Sequence, residues 1–149
     1  MILIMGYPGA GKSVQSELLR DRLNLKWVST GKLFRESKNV DIQQIIERGD
    51  LVDDQTTFAL VEKQLIEASE QTTLLDGFPR NPNQVEWLLI NAPRFNKQIR
   101  GVVFLDISLD ETEKRLSSRG RADDVAEAFR ARVEHAKKIQ PTLEALRSR

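Results

Sequence analysis

The most specific chemistry in the sequence lies close to its start. Gly6-Tyr7-Pro8-Gly9-Ala10-Gly11-Lys12-Ser13 fits the spacing G-x-x-x-x-G-K-[ST]. Glycines at those points let backbone N–H groups turn inward around a polyphosphate, and a helix opening near Lys12 adds its positive end. Lys12 can bridge terminal phosphates and Ser13 can ligate Mg²⁺. Gly9, Ala10, Gly11, Lys12, Ser13 and Val14 are therefore the candidate contacts for a nucleoside triphosphate. The loop alone leaves the reaction open, because switches, motors and small-molecule kinases share it.

Two further strings place anion-binding groups at turns. Ser29-Thr30-Gly31 followed by Arg35 supplies a hydroxyl, a permissive glycine and a guanidinium, and Asp76-Gly77-Phe78-Pro79-Arg80 supplies a carboxylate and a second guanidinium. Arg35 and Arg80 suit bidentate phosphate recognition, with a surface cation as the plainer reading of each. Gln84 offers both a donor and an acceptor, and Thr30 a hydroxyl. Asp76 suits a carboxylate that holds Mg²⁺ through water, or one that caps the following turn. Asp106 occupies a similar place without a matching string and is read as structural. Arg115, Arg119, Arg121 and Arg132 put four cations within eighteen residues. Phosphoryl transfer depends on positioning and on cations around the transferring group, although a solvated helix face would also carry such a cluster.

The elements that must position these groups are legible as alternating apolar patterns. Short buried runs at Ile2–Met5, Trp27–Val28, Thr73–Leu75 and Val102–Leu105 read as strands. Helical stripes fall between them: Val14, Leu18, Leu19 and Leu23; Ile42, Ile45 and Ile46 closed by Gly49; Phe58, Val61 and Leu65; Val85, Leu88, Leu89 and Ala92. Asp110 with Glu113 has the spacing of a capping box for a helix holding Arg115 and Leu116. Val125, Phe129, Val133 and Ala136 suggest a long last helix, kinked or ended near Pro141. Strand and helix in alternation predict a parallel sheet with right-handed crossovers, and ligands gather outside the carboxyl ends of such strands.

Composition narrows the function classes. The 149 residues suit one domain, and 23 basic against 22 acidic side chains leave no single-sign field for nonspecific nucleic-acid or membrane-surface binding. With no cysteine and one histidine, disulfide scaffolds, thiol chemistry and thiolate zinc sites are excluded, so a metal would be held by oxygen. Met1–Met5 is far below the length of a membrane span and lacks a basic leader. The expectation is a cytoplasmic domain whose partners are small-molecule nucleotides, with neither nucleic acid nor membrane.

Taken together, the strings resemble the adenylate kinase family of nucleoside monophosphate kinases. The match runs through the phosphate loop, Ser29-Thr30-Gly31 with Arg35, Gly49-Asp50-Leu51-Val52, Asp76 to Arg80 with Gln84, and Arg119-Gly120-Arg121-Ala122-Asp123-Asp124 with Arg132. It implies an α/β fold with a P-loop NTPase-type parallel sheet, helices on both faces and strand order 2-3-1-4, in one domain over 1–149. It implies ATP and Mg²⁺ as substrate and cofactor, with metal contacts from Ser13 and, through water, Asp76. Thr30, Gly31, Arg35, Leu51, Val52, Gly77, Arg80, Gln84, Arg121 and Arg132 would bind AMP, within an acceptor segment spanning 31–60. Arg115 would stack on the adenine of ATP and Arg119 would bind ATP. Lys12, Arg80, Arg119, Arg121 and Arg132 would serve catalysis, with Asp123 and Asp124 orienting the arginines.

The resemblance is incomplete in three places. Only Gly120 separates Arg119 from Arg121, so 119–124 reads as a vestigial lid, from which ATP hydrolysis is expected to leak. The segment Gly31–Gly49 is short, and Asp53 stands where the family commonly has proline. The family's fifth strand would lie beyond Arg149 or be absent, leaving Val102–Leu105 as a sheet edge and the chain a monomer or an edge-paired dimer. The expected function is Mg²⁺-dependent transfer from ATP to AMP giving two ADP. Alternatives are UMP or CMP as acceptor, and a truncated nucleotide-binding or regulatory module with weak or no transfer. A kinase of the shikimate or gluconate type would leave Asp76–Arg80 with Gln84 unexplained.

Overall fold

A computed structural model of the chain describes residues 1–119, 128, 130, 131, 134 and 137–147, with the backbone alone at 109, 113 and 117–119. In chain order they form β1 (Ile2–Gly6), α1 (Lys12–Leu23), β2 (Lys26–Ser29), α2 (Thr30–Arg35), α3 (Val40–Glu47), α4 (Asp54–Glu67), β3 (Thr73–Asp76) and α5 (Pro82–Asn91). A short 3-10 turn (Ala92–Phe95), β4 (Gly101–Leu105), α6 (Leu109–Arg119) and α7 (Ile139–Arg147) follow. The sheet has the order β2-β3-β1-β4, as the family resemblance implies, with every neighbouring pair parallel, as the alternation of strand and helix predicts. Ile4 and Ser29 both stand opposite Asp76, so the loop after β1 and the turns after β2 and β3 open on one edge of the sheet.

Alternation along the strands feeds two apolar layers. Leu3, Val28 and Leu75 face Val61 and Leu65 of α4 and Leu88 of α5, with Phe78 in the same cluster. Ile4 and Leu74 face the other way, with Leu25 and Leu19 of α1. Leu3, Ile4, Leu74 and Leu75 are fully buried, each contributing about 1.5–3 kcal/mol of transfer free energy. Lys97 closes the far end of α4: its buried ammonium donates to the carbonyls of Ala68, Ser69 and Gln71, where the helix dipole is negative.

Three local expectations are corrected. Val14, Leu18 and Leu23 are 61%, 47% and 55% exposed, while Ser16 is fully buried. The rotation of α1 is set where it leaves the phosphate loop, and that turns Ser16 and, of the stripe, Leu19 toward the sheet, leaving Val14, Leu18 and Leu23 outside. Asp110 does not open α6: Ser108 does, its hydroxyl accepting from the Glu111 N–H at 3.2 Å, the same capping spacing two residues earlier. Ala92 lies past the end of α5, in the 3-10 turn. A turn at 137–138 precedes α7, in keeping with a helix that ends near Pro141, and Pro141 itself sits in the first turn of α7, where its missing N–H costs nothing. The stripe Val125, Phe129, Val133 and Ala136 lies outside the described residues. Val102 and Val103 on β4 are each 38% exposed, in keeping with an edge strand among the described residues. No helix among those residues is long and apolar enough to cross a membrane.

Candidate active site

The carboxyl ends of the strands border a cleft of about 490 Å³. On one side is the loop from β1 to α1. Gly11, the N-cap of α1, holds φ at +88°, a backbone that favours glycine, and has no side chain to answer the first helical N–H groups. That helix end is left to an anion. Lys12 lies across the loop, its Nζ donating to the carbonyls of Gly6 at 2.9 Å and Tyr7 at 2.8 Å. A β-carbon on Gly9 would stand 3.2 Å from the Thr112 carbonyl oxygen and 3.3 Å from Leu116 Cγ, so the loop rests directly on α6. From α6, Arg115 reaches the cleft wall, its Nε held by Glu111 Oε1 at 2.6 Å.

The turns after β2 and β3 build the opposite side. Thr30 is buried, and its hydroxyl donates to the Gly77 carbonyl at 2.9 Å, tying the two turns together. Arg80 Nε donates to the same carbonyl at 2.6 Å. Gly77 has φ +79°, and a β-carbon there would fall 2.8 Å from Thr30 Oγ1, so neither strain nor space admits a side chain. Gly31 leaves an opening of a different kind. A β-carbon on it would lie 3.2 Å from Arg35 Nη1 and 3.8 Å from Arg80 Nη2, so two guanidinium groups from different turns converge over one bare backbone position. Their planar, always-charged forks suit a phosphate.

Below them, α5 opens at Asn81, whose side chain accepts from the Gln84 N–H at 2.8 Å, with Pro82 in the first helical position. Gln84 is buried; its Oε1 accepts from the Arg80 N–H and its Nε2 donates to Asp54 Oδ1, both at 2.7 Å. Asp54 is half-buried in the first turn of α4. Burial pushes its pKa up, but hydrogen bonds from Asn83, Gln84 and Asn81 outweigh this and hold the carboxyl below its ordinary value. Asp53 is the N-cap of α4, accepting from the Thr56 N–H at 2.9 Å. The loop after α3 is seated by Gly49, whose β-carbon would fall 2.6 Å from Ala128 Cα, so these two backbones touch. Leu51, Val52 and Thr57 complete that wall.

Of the residues singled out in the sequence, Gly9, Gly11, Lys12, Ser13, Val14, Thr30, Gly31, Arg35, Leu51, Val52, Asp76, Gly77, Arg80, Gln84 and Arg115 all line this cleft. Ala10 is buried behind the loop, its N–H donating to the Tyr7 carbonyl at 3.1 Å. Arg119 ends α6, and its side chain is outside the described set. Gly120, Arg121, Asp123, Asp124 and Arg132 lie outside the described residues. Asp54 and Thr57 were missed; the one available signal for Asp54 was the run of amides at Asn81, Asn83 and Gln84. Among the described residues no group of three His, Cys, Asp or Glu side chains could cage a metal. Ser13 and Asp76 in one cleft nonetheless fit Mg²⁺, which takes few protein oxygens and completes its shell with phosphate and water.

A family model described as adenylate kinase matches residues 4–149. The chain belongs to the adenylate kinase family. Adenylate kinase membership places it among phosphotransferases that act on nucleoside monophosphates, and sets aside the shikimate or gluconate type. It is 39% identical to the adenylate kinase of Synechococcus sp. (strain CC9311), over 99% of this chain and 85% of the relative. It is 34% identical to that of Prochlorococcus marinus (strain MIT 9211), over 99% and 83%. With the adenylate kinase of Corynebacterium glutamicum (strain R) it shares 35% identity over 89% of this chain and 77% of the relative.

Proposed function

We propose that the chain transfers the γ-phosphoryl group of ATP to AMP, giving two ADP, with Mg²⁺. The observation that carries this reading is the convergence of Arg35 and Arg80 over Gly31 in the cleft that also holds Lys12 and the open end of α1. One anion site faces a second across a single cavity, which a transfer between two phosphates requires and a nucleotide switch does not. In the reaction an oxygen of the acceptor phosphate forms a bond to the γ-phosphorus as the bond to the β,γ-bridging oxygen breaks, and ADP leaves with that electron pair. No general base is needed, because the attacking oxygen is already anionic. Lys12 leaves the loop carbonyls to meet the transferring group, and the loop N–H groups and α1 hold the donor phosphates. Arg35 and Arg80 hold and align the acceptor, and Arg119, Arg121 and Arg132 take the catalytic roles implied by the family strings. Ser13 and Asp76 would hold Mg²⁺, which when bound offsets charge on the donor phosphates.

AMP is favoured over UMP or CMP by Thr30, since threonine there goes with adenine in the family pattern. The test is ADP release from ATP with AMP, UMP, CMP and dGMP offered separately, beside Lys12→Ala. Turnover is expected with AMP, falling by at least about 10²-fold in the variant. Turnover unaffected by that substitution, or absent with every acceptor, would overturn the reading in favour of a nucleotide-binding module.

A further inference from the structure

Asp54 lies outside the family strings that carry the substrate contacts, yet three side-chain amides converge on it. Asn83 Nδ2 meets Oδ2 at 2.6 Å, and Gln84 Nε2 and Asn81 Nδ2 meet Oδ1 at 2.7 and 3.2 Å. The donors sit at the start of α5 and the acceptor in the first turn of α4, so one carboxylate latches two walls of the acceptor side.

The consequence for Gln84 is more specific than packing. A primary amide has two nearly isosteric orientations that exchange its donating and accepting edges. An ionised carboxylate only accepts, and a backbone N–H only donates. Asp54 on one edge of Gln84 and the Arg80 N–H on the other, each at 2.7 Å, admit a single orientation. Turned over, the amide would set oxygen against carboxylate and N–H against N–H in a buried position. What remains for a ligand is one N–H and one Oε1 lone pair in fixed order, the complement of a base edge with an amino group beside a ring nitrogen.

We propose that Asp54 is a positioning residue for base selectivity, fixing the Gln84 amide and with it the order of donor and acceptor offered to the acceptor base. This rests on the monophosphate-kinase reading of the cleft. Asp54→Asn keeps the shape but both donates and accepts, so the amide is released. The ratio of kcat/KM for AMP over UMP is expected to fall about tenfold through KM for the monophosphate, with kcat and the KM for ATP within about twofold. Asp54→Ser, also suited to a helix's first turn, must give the same fall. Asn83→Ala weakens the latch but leaves Gln84 held, and must leave the ratio unchanged. In a Gln84→Ala background, Asp54→Asn must have no further effect on the ratio.

An equal fall in the Gln84→Ala background, or in Asn83→Ala, would overturn the proposal, because Asp54 would then act through the helices. The ratio is also read from equilibrium binding of AMP and UMP without ATP. Binding without turnover would therefore count against the kinase reading while still judging Asp54, and absence of AMP binding would overturn both.

Discussion

Gly31→Ala separates the stability of the fold from the work of the cleft. Gly31 is the second residue of α2 and needs no left-handed backbone, so alanine there restricts the unfolded chain without straining the folded one. Such a change stabilises by about 0.4–1 kcal/mol, or about 1–4 °C in Tm for a domain of this size. The new methyl would stand 3.2 Å from Arg35 Nη1, inside the ordinary contact range that begins at 3.4 Å. Arg35 is exposed and long, so the end of its side chain shifts away from the new methyl. The acceptor phosphate then loses a hydrogen bond between charged partners, about 1.5–3 kcal/mol, at 1.4 kcal/mol per factor of ten. KM for AMP should rise by about 10- to 100-fold, while KM for ATP stays within about twofold, measured by coupled ADP release beside a thermal melt. An unchanged KM for AMP with a raised Tm would refute the placing of acceptor phosphate between the two guanidinium groups. A lowered Tm would refute the helix argument.

Gly77→Ala should do the opposite to stability. With φ at +79° and a contact of 2.8 Å to Thr30 Oγ1, it should cost about 1–3 kcal/mol and lower Tm by about 2–10 °C in the same melt. Asp54 has its pKa lowered in the folded state, so its contribution is present above its ordinary value and is lost as pH falls through the lowered one. Urea unfolding should accordingly show the stability gap between the native chain and Asp54→Asn narrowing below about pH 4; a gap that widens there would contradict the hydrogen-bonded assignment, since burial and the neighbouring Asp53 both raise the value and only the amide hydrogen bonds lower it. With Gly120 alone between Arg119 and Arg121, ATP hydrolysis without acceptor should be measurable. Its absence in a preparation active with AMP would mean that the short lid does not admit water.

Sheet order was legible only through the family resemblance, but the floor of the cleft was legible in the residues themselves, because three of the strands end in distinctive chemistry: Gly6 leads to the loop, Ser29 to Thr30 and Arg35, and Asp76 to Arg80. Patterns within one element sufficed for those. The stripe on α1 misled because hydrophobic period says which residues share a face, and the geometry of the loop before Lys12 decides which face meets the sheet. Ser108 was passed over for Asp110 because both precede an acidic residue at the same spacing. The run of amides at Asn81, Asn83 and Gln84 did not lead to Asp54 for another reason: it lies 27–30 positions away from them, and an aspartate after an N-capping aspartate reads as ordinary helix-start chemistry.

The contact between Gly49 and Ala128 bears on how such a chain can be re-engineered. It joins main chain to main chain, so the cleft wall at Gly49 is set partly by a residue nearly eighty positions later in the sequence. A graft that lengthened the segment between Arg119 and Ala128 to import a larger cover would succeed or fail on whether Ala128 returned to the same place. Substitution of the Leu51 or Val52 side chain, by contrast, leaves that seam intact. Chain length before Ala128 and the side chains of the cleft wall are thus two design variables that share one fixed joint.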